Sequence, residues 1–191
     1  MSPLEVAGVA TGVLAVWLTV RENTWCWPVG VVNVAIYAVV FREAKLYADM
    51  GLQGIYFVLC LYGWWAWVRG GAAHGRLVVS RAPRAVLGAS ALAGIAFALA
   101  LGAFLRARTD AALPFWDAGT TGFSLVAQFL QTRKWIENWS VWIAVDSVYV
   151  GIFVVKHLYL TAGLSALFLV LAGMGLATWT RSLAAARTAA Q

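Results

Sequence analysis

LTVRENTWCWPVGVVNVAIYAVVFRE (residues 18–43) and LQTRKWIENWSVWIAVDSVYVGIFVV (residues 130–155) decide the fold. Shifted by 112 residues, the first falls on the second without a gap: Arg21 meets Arg133, Trp27 meets Trp139, Tyr37 meets Tyr149 and Phe41 meets Phe153. The register holds to the end of residues 18–67 and 130–179, through Leu46/Leu158, Tyr47/Tyr159, Gly51/Gly163, Gly63/Gly175 and Trp67/Trp179. Shared apolar composition explains matched leucines and valines. It does not explain aromatics, glycines and a Leu-Tyr couple recurring in one register, so the chain is read as an internal duplication.

The surrounding sequence says what was duplicated. Of 191 residues, 62% are hydrophobic and 12% are charged, and the mean hydropathy is +0.79. Soluble domains carry about 25% charged residues. Stretches free of Asp, Glu, Lys and Arg run over 6–20, 23–41, 50–68, 85–105, 118–132 and 157–180. A seventh, 138–155, is broken only by Asp146. A membrane-spanning helix needs about 20 mostly apolar residues. The first stretch gains length if Leu4 and Glu5 sit at the headgroups, and the fifth if it starts at Pro114 and accepts Asp117.

The expected fold is thus an all-α integral membrane protein of seven transmembrane helices. Residues 1–191 form a single membrane domain: a first three-helix bundle (4–69), a linker helix (83–106) and a second three-helix bundle (113–181). An offset of four helices keeps both bundles facing the same way across the bilayer, a parallel repeat of the kind found in transporters, with substrate held near the midplane between the halves. Helix 4 (VLGASALAGIAFALALGAFL) is plain apolar with small residues, which suits a linker or an oligomer contact.

The start, MSPLEVAGVA, lacks a basic segment and is not read as a cleaved signal peptide. The N-terminus and the loops after helices 2, 4 and 6 hold Arg42, Lys45, Arg106, Arg108 and Lys156. The other face holds Arg21, Arg69, Arg76, Arg81, Arg84, Arg133, Lys134, Arg181 and Arg187. The excess of basic residues puts the C-terminus in the cytoplasm and the N-terminus outside. This topology, not nucleic-acid binding, accounts for the net charge of +6. Cys26 and Cys60 have no metal-binding spacing and are read as packing residues. No metal, cofactor or catalytic residue is expected: the sequence lacks GxxxxGK[ST], HExxH and a mid-helix lysine in helix 7.

Polar residues inside a bilayer face the protein interior or a wet cavity. On helix 6, Trp139, Trp142, Asp146 and Tyr149 share one face at helical spacing. Asp117, Thr121, Ser124, Gln128 and Gln131 do so on helix 5. Gln53, Tyr56, Cys60, Gly63 and Trp67 do so on helix 3, and Gly30, Asn33 and Tyr37 on helix 2. Converging, these stripes would line a cavity for a small, flat, neutral or weakly cationic molecule bearing hydroxyls. Trp25, Trp27, Trp64, Trp65, Trp67 and Trp179 lie near helix ends and are read as interfacial belt residues. For Trp139 the belt and the site are both open readings. Asp146 is open as a site residue, a structural partner or a proton site.

Several motifs carry a resemblance to a known family. They are Ala-Lys-Leu-Tyr-Ala-Asp-Met-Gly-Leu-Gln at 44–53, Tyr-Gly-Trp-Trp at 62–65, Arg133-Lys134 with Glu137-Asn138-Trp139, and the spacing of Trp139 and Trp142. The chain resembles the PnuC family of bacterial vitamin transporters across helices 2–3 and 5–7. The resemblance implies a SWEET-like architecture of two three-helix bundles and a linker, and a homotrimer in the inner membrane. It implies inward movement of nicotinamide riboside (vitamin B3, a precursor for NAD biosynthesis) by facilitated diffusion, with trapping by a cytoplasmic kinase. It implies Trp139 and Trp142 as ring contacts and Gln128 as a hydrogen-bond partner of ribose or amide. Asp146 stands where the family often has Asp or Asn. The expected substrate-binding set is Trp139, Trp142, Asp146, Tyr149, Gln128, Ser124, Thr121, Asn33, Tyr37, Gln53 and Tyr56. Thiamine first, then riboflavin or a nucleoside, are alternative substrates, and a non-transporting membrane receptor or scaffold is the alternative class.

Overall fold

A computed structural model describes residues 3–43, 47–109 and 113–188, without the side chains of residues 47, 48 and 187. Ala44, Lys45 and Leu46, which open the motif at 44–53, lie outside the described residues, as does the Leu46/Leu158 pair. Among the described residues, seven α-helices follow in order: α1 (Pro3–Val20), α2 (Cys26–Glu43), α3 (Tyr47–Arg69), α4 (Arg84–Arg108), α5 (Pro114–Thr132), α6 (Glu137–Val155) and α7 (Tyr159–Thr188). Five of them, α1, α2, α4, α6 and α7, are long and apolar enough to cross a membrane by length and composition alone. The other two, α3 and α5, carry Gln53, Tyr56, Gln128 and Gln131, and these polar residues line the internal cavity described below. Their lower hydropathy reflects what they face inside the protein.

Local chemistry sets the helix ends. Pro114 sits in the first turn of α5, where its missing N–H leaves no bond unmade. Pro28 is tolerated in the first turn of α2 for the same reason. α1 and α5 stop in the same way. Glu22 and Lys134 adopt left-handed backbone conformations (φ 55° and 56°), which are uncommon for side-chain-bearing residues. Around each, the same amides turn the chain: Glu22 N donates to Thr19 O and Asn23 N to Leu18 O, while Lys134 N donates to Gln131 O and Trp135 N to Leu130 O. Each of these positions is 112 residues from its counterpart, as the sequence register requires.

The helices form two three-helix units, α1–α3 and α5–α7, which meet through α1 against α7 and α3 against α5, with α4 laid on α5. Small residues let α4 and α5 approach closely. A Cβ added at Gly122 would come within 2.9 Å of the Gly94 carbonyl oxygen, and one added at Gly94 within 3.0 Å of Val126.

The most buried part of the protein lies where the units meet. Trp27, Trp67, Trp139 and Trp179 are at most 1% exposed. The ring of Trp27 occupies the space a side chain at Gly63 would fill, and Trp139 does the same over Gly175. Trp27 meets Trp67 edge-on at 5.4 Å and 86°, and Trp139 meets Trp179 at 5.3 Å and 85°. Trp67 and Trp179 then touch across the join at 5.8 Å. The belt reading therefore fails for Trp27, Trp67 and Trp179: a helix end that packs against its symmetry-related twin is interior. It fits Trp25, Trp64 and Trp65, which are 66%, 42% and 56% exposed.

Candidate functional site

A cavity of about 380 Å3 lies between the two units, lined by α1, α2, α3, α5, α6 and α7. The four polar stripes converge on it: Asn33 and Tyr37 from α2, Gln53 and Tyr56 from α3, Gln128 and Gln131 from α5, and Trp139, Trp142 and Asp146 from α6. Gly12, Ala15, Val16 and Thr19 of α1 and Phe168 and Ala172 of α7 complete the wall. One end carries Thr19, Cys26 and Trp139, close to the tryptophan junction. The other carries Phe41 and Gln53, at the end of α2 and the start of α3.

Eight of the eleven residues expected to bind substrate line this cavity, and Thr121, Ser124 and Tyr149 do not. Thr121 spends its hydroxyl on its own helix, donating to Asp117 O at 2.8 Å. Ser124 is buried, and Tyr149 stacks on Phe153 at 5.6 Å. Gln131, Cys60, Phe41 and Phe168 line the cavity without having been in the expected set. The first two were legible as members of the α5 and α3 stripes. Phe168, an apolar residue in an apolar helix, left no signal.

Individual side chains are already oriented. Trp142 donates its indole N–H to Gln131 Oε1 at 3.2 Å, which fixes the ring at the wall and leaves the Gln131 amide nitrogen free to donate. Asn33 donates through Nδ2 to Gly8 O at 2.6 Å and to Thr11 Oγ1 at 3.0 Å. A carbonyl only accepts, so the Asn33 nitrogen is committed to α1 and only its oxygen is left for a ligand. Gln128 makes a long contact to Cys60 Sγ at 4.0 Å, leaving most of its amide capacity unused. Asp146 is 7% exposed, and no cation is paired with it among the described residues. No group of His, Cys, Asp and Glu able to hold a metal ion occurs among the described residues.

The duplication makes the frame symmetric and the lining asymmetric. Equivalent positions face the cavity from both units: Val16 and Gln128, Thr19 and Gln131, Gly30 and Trp142, Val34 and Asp146, Tyr56 and Phe168, Cys60 and Ala172. At four of these pairs the second unit supplies the larger or more polar group. The chamber thus has one flat aromatic and acidic wall on α5–α6, facing a smoother wall on α1–α2. It can orient a flat ring against Trp142 and surround it with amide donors and acceptors.

Residues 2–181 match the family described as nicotinamide mononucleotide transporter. The chain belongs to this family of membrane transporters. It is 27% identical over 184 residues to the nicotinamide riboside transporter PnuC of Escherichia coli, covering 83% of this chain and 77% of that one. It is 30% identical over 150 residues to the riboflavin/roseoflavin transporter RibM of Streptomyces davaonensis, covering 75% of this chain and 68% of that one. The crystal structure of the vitamin B3 transporter PnuC has the same fold, with a TM-score of 0.73 and 22% identity over 94% of this chain and 81% of the other. The PnuC resemblance and the arrangement of two three-helix units around a linker expected from the repeat therefore both hold.

Proposed function

We propose that this protein moves nicotinamide riboside across the membrane by facilitated diffusion. The observation carrying this reading is the chamber itself, which sits between two parallel repeats and is walled by Trp142, Asp146, Gln128 and Gln131. Nicotinamide riboside is a flat permanent cation with three hydroxyls and a carboxamide. The Trp142 face attracts the pyridinium ring, and Asp146 balances its charge. Gln128 and Gln53 serve the hydroxyls and carboxamide, and the Asn33 oxygen accepts from one of them. Trp139, Tyr37 and Tyr56 complete the enclosure. Thr121, Ser124 and Tyr149 then act from behind the wall.

Alternating access comes from rocking of the bundle at 4–69 against that at 113–181, with helix 83–106 as the link. The C-terminus faces the cytoplasm and the N-terminus the outside of a bacterial inner membrane, in accord with the basic residues gathered on one face. A cytoplasmic kinase traps the substrate, and the working unit is a homotrimer. Radiolabelled nicotinamide riboside should equilibrate across proteoliposomes with and without a proton gradient. Accumulation above equilibrium would rule out passive transport, and binding without flux would make the protein a receptor.

A second reading changes only the ligand. The identity to a riboflavin/roseoflavin transporter favours a flavin, against which the unpaired carboxylate of Asp146 argues. Thermal stabilisation of the purified protein by nicotinamide riboside, riboflavin and thiamine in parallel separates these ligands.

A further inference from the structure

The tryptophan junction is more than a core. Trp67 donates its indole N–H to the Gln131 carbonyl at 2.9 Å, and Trp179 donates its own to the Thr19 carbonyl at 3.1 Å. Positions 67 and 179, and 19 and 131, are both repeat equivalents, so the two units exchange the same bond. Beside them, Lys134 Nζ pairs with a Glu22 carboxylate oxygen at 2.9 Å, with the two side chains only 8% and 23% exposed. Positions 22 and 134 are equivalent as well. Equivalent residues that touch must straddle the axis relating the two copies, as in any two-fold interface. The Trp67–Trp179 contact and the Glu22–Lys134 pair therefore mark where that axis leaves the protein.

This end is also strapped. The α3–α4 segment crosses to the turn between α5 and α6, with Ser80 N donating to Lys134 O at 3.2 Å and Ile136 N to Ser80 O at 3.0 Å. Lys134 Nζ also donates to Leu77 O at 3.1 Å. Trp139 belongs both to this junction and to the cavity wall, so the junction directly stops that end of the chamber. Two units cannot rock apart at this end without separating pairs that lie on the axis between them.

We propose that the four-tryptophan junction, clasped by Glu22 and Lys134, is the closed gate of the cavity and opens when the two units separate on this face. The proposal rests on the transport reading above for its purpose, but its test needs no substrate. Cys60 lines the cavity and supplies the probe in a Cys26→Ser background. A membrane-impermeant maleimide is added to spheroplasts and to inverted vesicles, which expose opposite faces, and labelling is read on the purified protein. Cys60, itself 4% exposed, should label slowly from the junction face in the parent protein. Glu22→Lys sets two lysines against each other and should speed labelling from the junction face by at least roughly tenfold, since the broken pair is mostly buried. The double exchange Glu22→Lys with Lys134→Glu restores the opposite charges but not the Lys134–Leu77 bond, and should return labelling part of the way to the slow rate.

Lys134→Gln gives the same test without repulsion, should Glu22→Lys not fold. Equal rates from the junction face in all these proteins would overturn the gate, even if nicotinamide riboside transport were intact. Failed transport with the expected labelling pattern would instead overturn the substrate and leave the gate standing.

Discussion

The indole N–H of Trp142 ends on the side-chain oxygen of Gln131 at 3.2 Å, while the backbone carbonyl of Gln131 accepts from Trp67 at 2.9 Å. One residue therefore holds a cavity wall with its side chain and the tryptophan junction with its main chain. Its repeat equivalent, Thr19, keeps the second bond, through Trp179, but turns its hydroxyl back to Ala15 O. Gln131→Thr copies that simpler arrangement. It should leave the junction intact and release the Trp142 ring, costing about 1 kcal/mol of binding, or roughly fivefold in Kd for nicotinamide riboside, as for one lost hydrogen bond. Calorimetric titration of the purified variant checks this, with unchanged thermal stability of the ligand-free protein as the control.

Trp142 should matter to the ligand through the part of its ring that borders the cavity, while the rest packs against the tryptophan core. Trp142→Ala removes the stacking face, worth roughly 0.5–2 kcal/mol for a cation over an indole. Affinity should fall by about 2- to 30-fold, and the protein should still fold, with a lowered melting temperature from the lost packing. An unchanged Kd would move the ring contact to another wall.

The tryptophans of the junction should matter to the fold. Gly63 lies under Trp27 and Gly175 under Trp139, with no space for a methyl group at either. Gly63→Ala and Gly175→Ala should each destabilise the protein by about 1–3 kcal/mol, the usual cost of overpacking. The two losses should be similar, since the surroundings are copies. Thermal unfolding in detergent measures both. A large loss at one position and none at the other would show that the halves have diverged in packing as well as in lining.

Much of this was legible in the sequence, and the parts that were not share a cause. The duplication could be read because the junction needs a tryptophan above a glycine in both copies, so Trp27/Gly63 and Trp139/Gly175 stay in register without a gap. The chamber could be read because its lining residues repeat at helical spacing on four helices. Position along a helix does not reveal which way a residue points around it when every neighbour is apolar. Trp27, Trp67 and Trp179 near helix ends were therefore indistinguishable from belt residues. The same ambiguity hid Phe168, and it left Tyr149 at the edge of its stripe, stacked on Phe153, whereas Ser124 shares the face of Gln128 and Gln131 but is buried outside the lining.

Asn33 offers a test of orientation within the first unit. Its amide nitrogen donates to Gly8 O and Thr11 Oγ1, bracing α1 against α2. Asn33→Asp replaces that donor with a second acceptor facing a carbonyl oxygen, so both stability and binding should suffer, the stability loss being about 1 kcal/mol for a half-buried bond replaced by a clash of acceptors. Asn33→Ala should lose less, because no charge is then held against the carbonyl. The ordering of the two melting temperatures is the measurement, and Asp melting at or above Ala would mean the brace is not made.

Asp146 distinguishes the two ligand readings most sharply. Its carboxylate faces a chamber of low polarity with no paired cation among the described residues, where attraction between opposite charges is weakly screened. Two unit charges about 4 Å apart gain about 4 kcal/mol at the effective dielectric of such sites. Desolvation of the carboxylate and the cation offsets part of this gain. Asp146→Asn keeps the shape and hydrogen bonding of the side chain and removes the charge. Nicotinamide riboside, a fixed cation, should lose roughly 10- to 100-fold in affinity, about 1.4–2.8 kcal/mol. Riboflavin, which is neutral, should bind the variant at least as well as the parent. Competition titrations with both ligands on both proteins supply the four constants needed. Equal losses for the two ligands would assign Asp146 to wall structure, and a gain for nicotinamide riboside would overturn its pairing with the pyridinium ring.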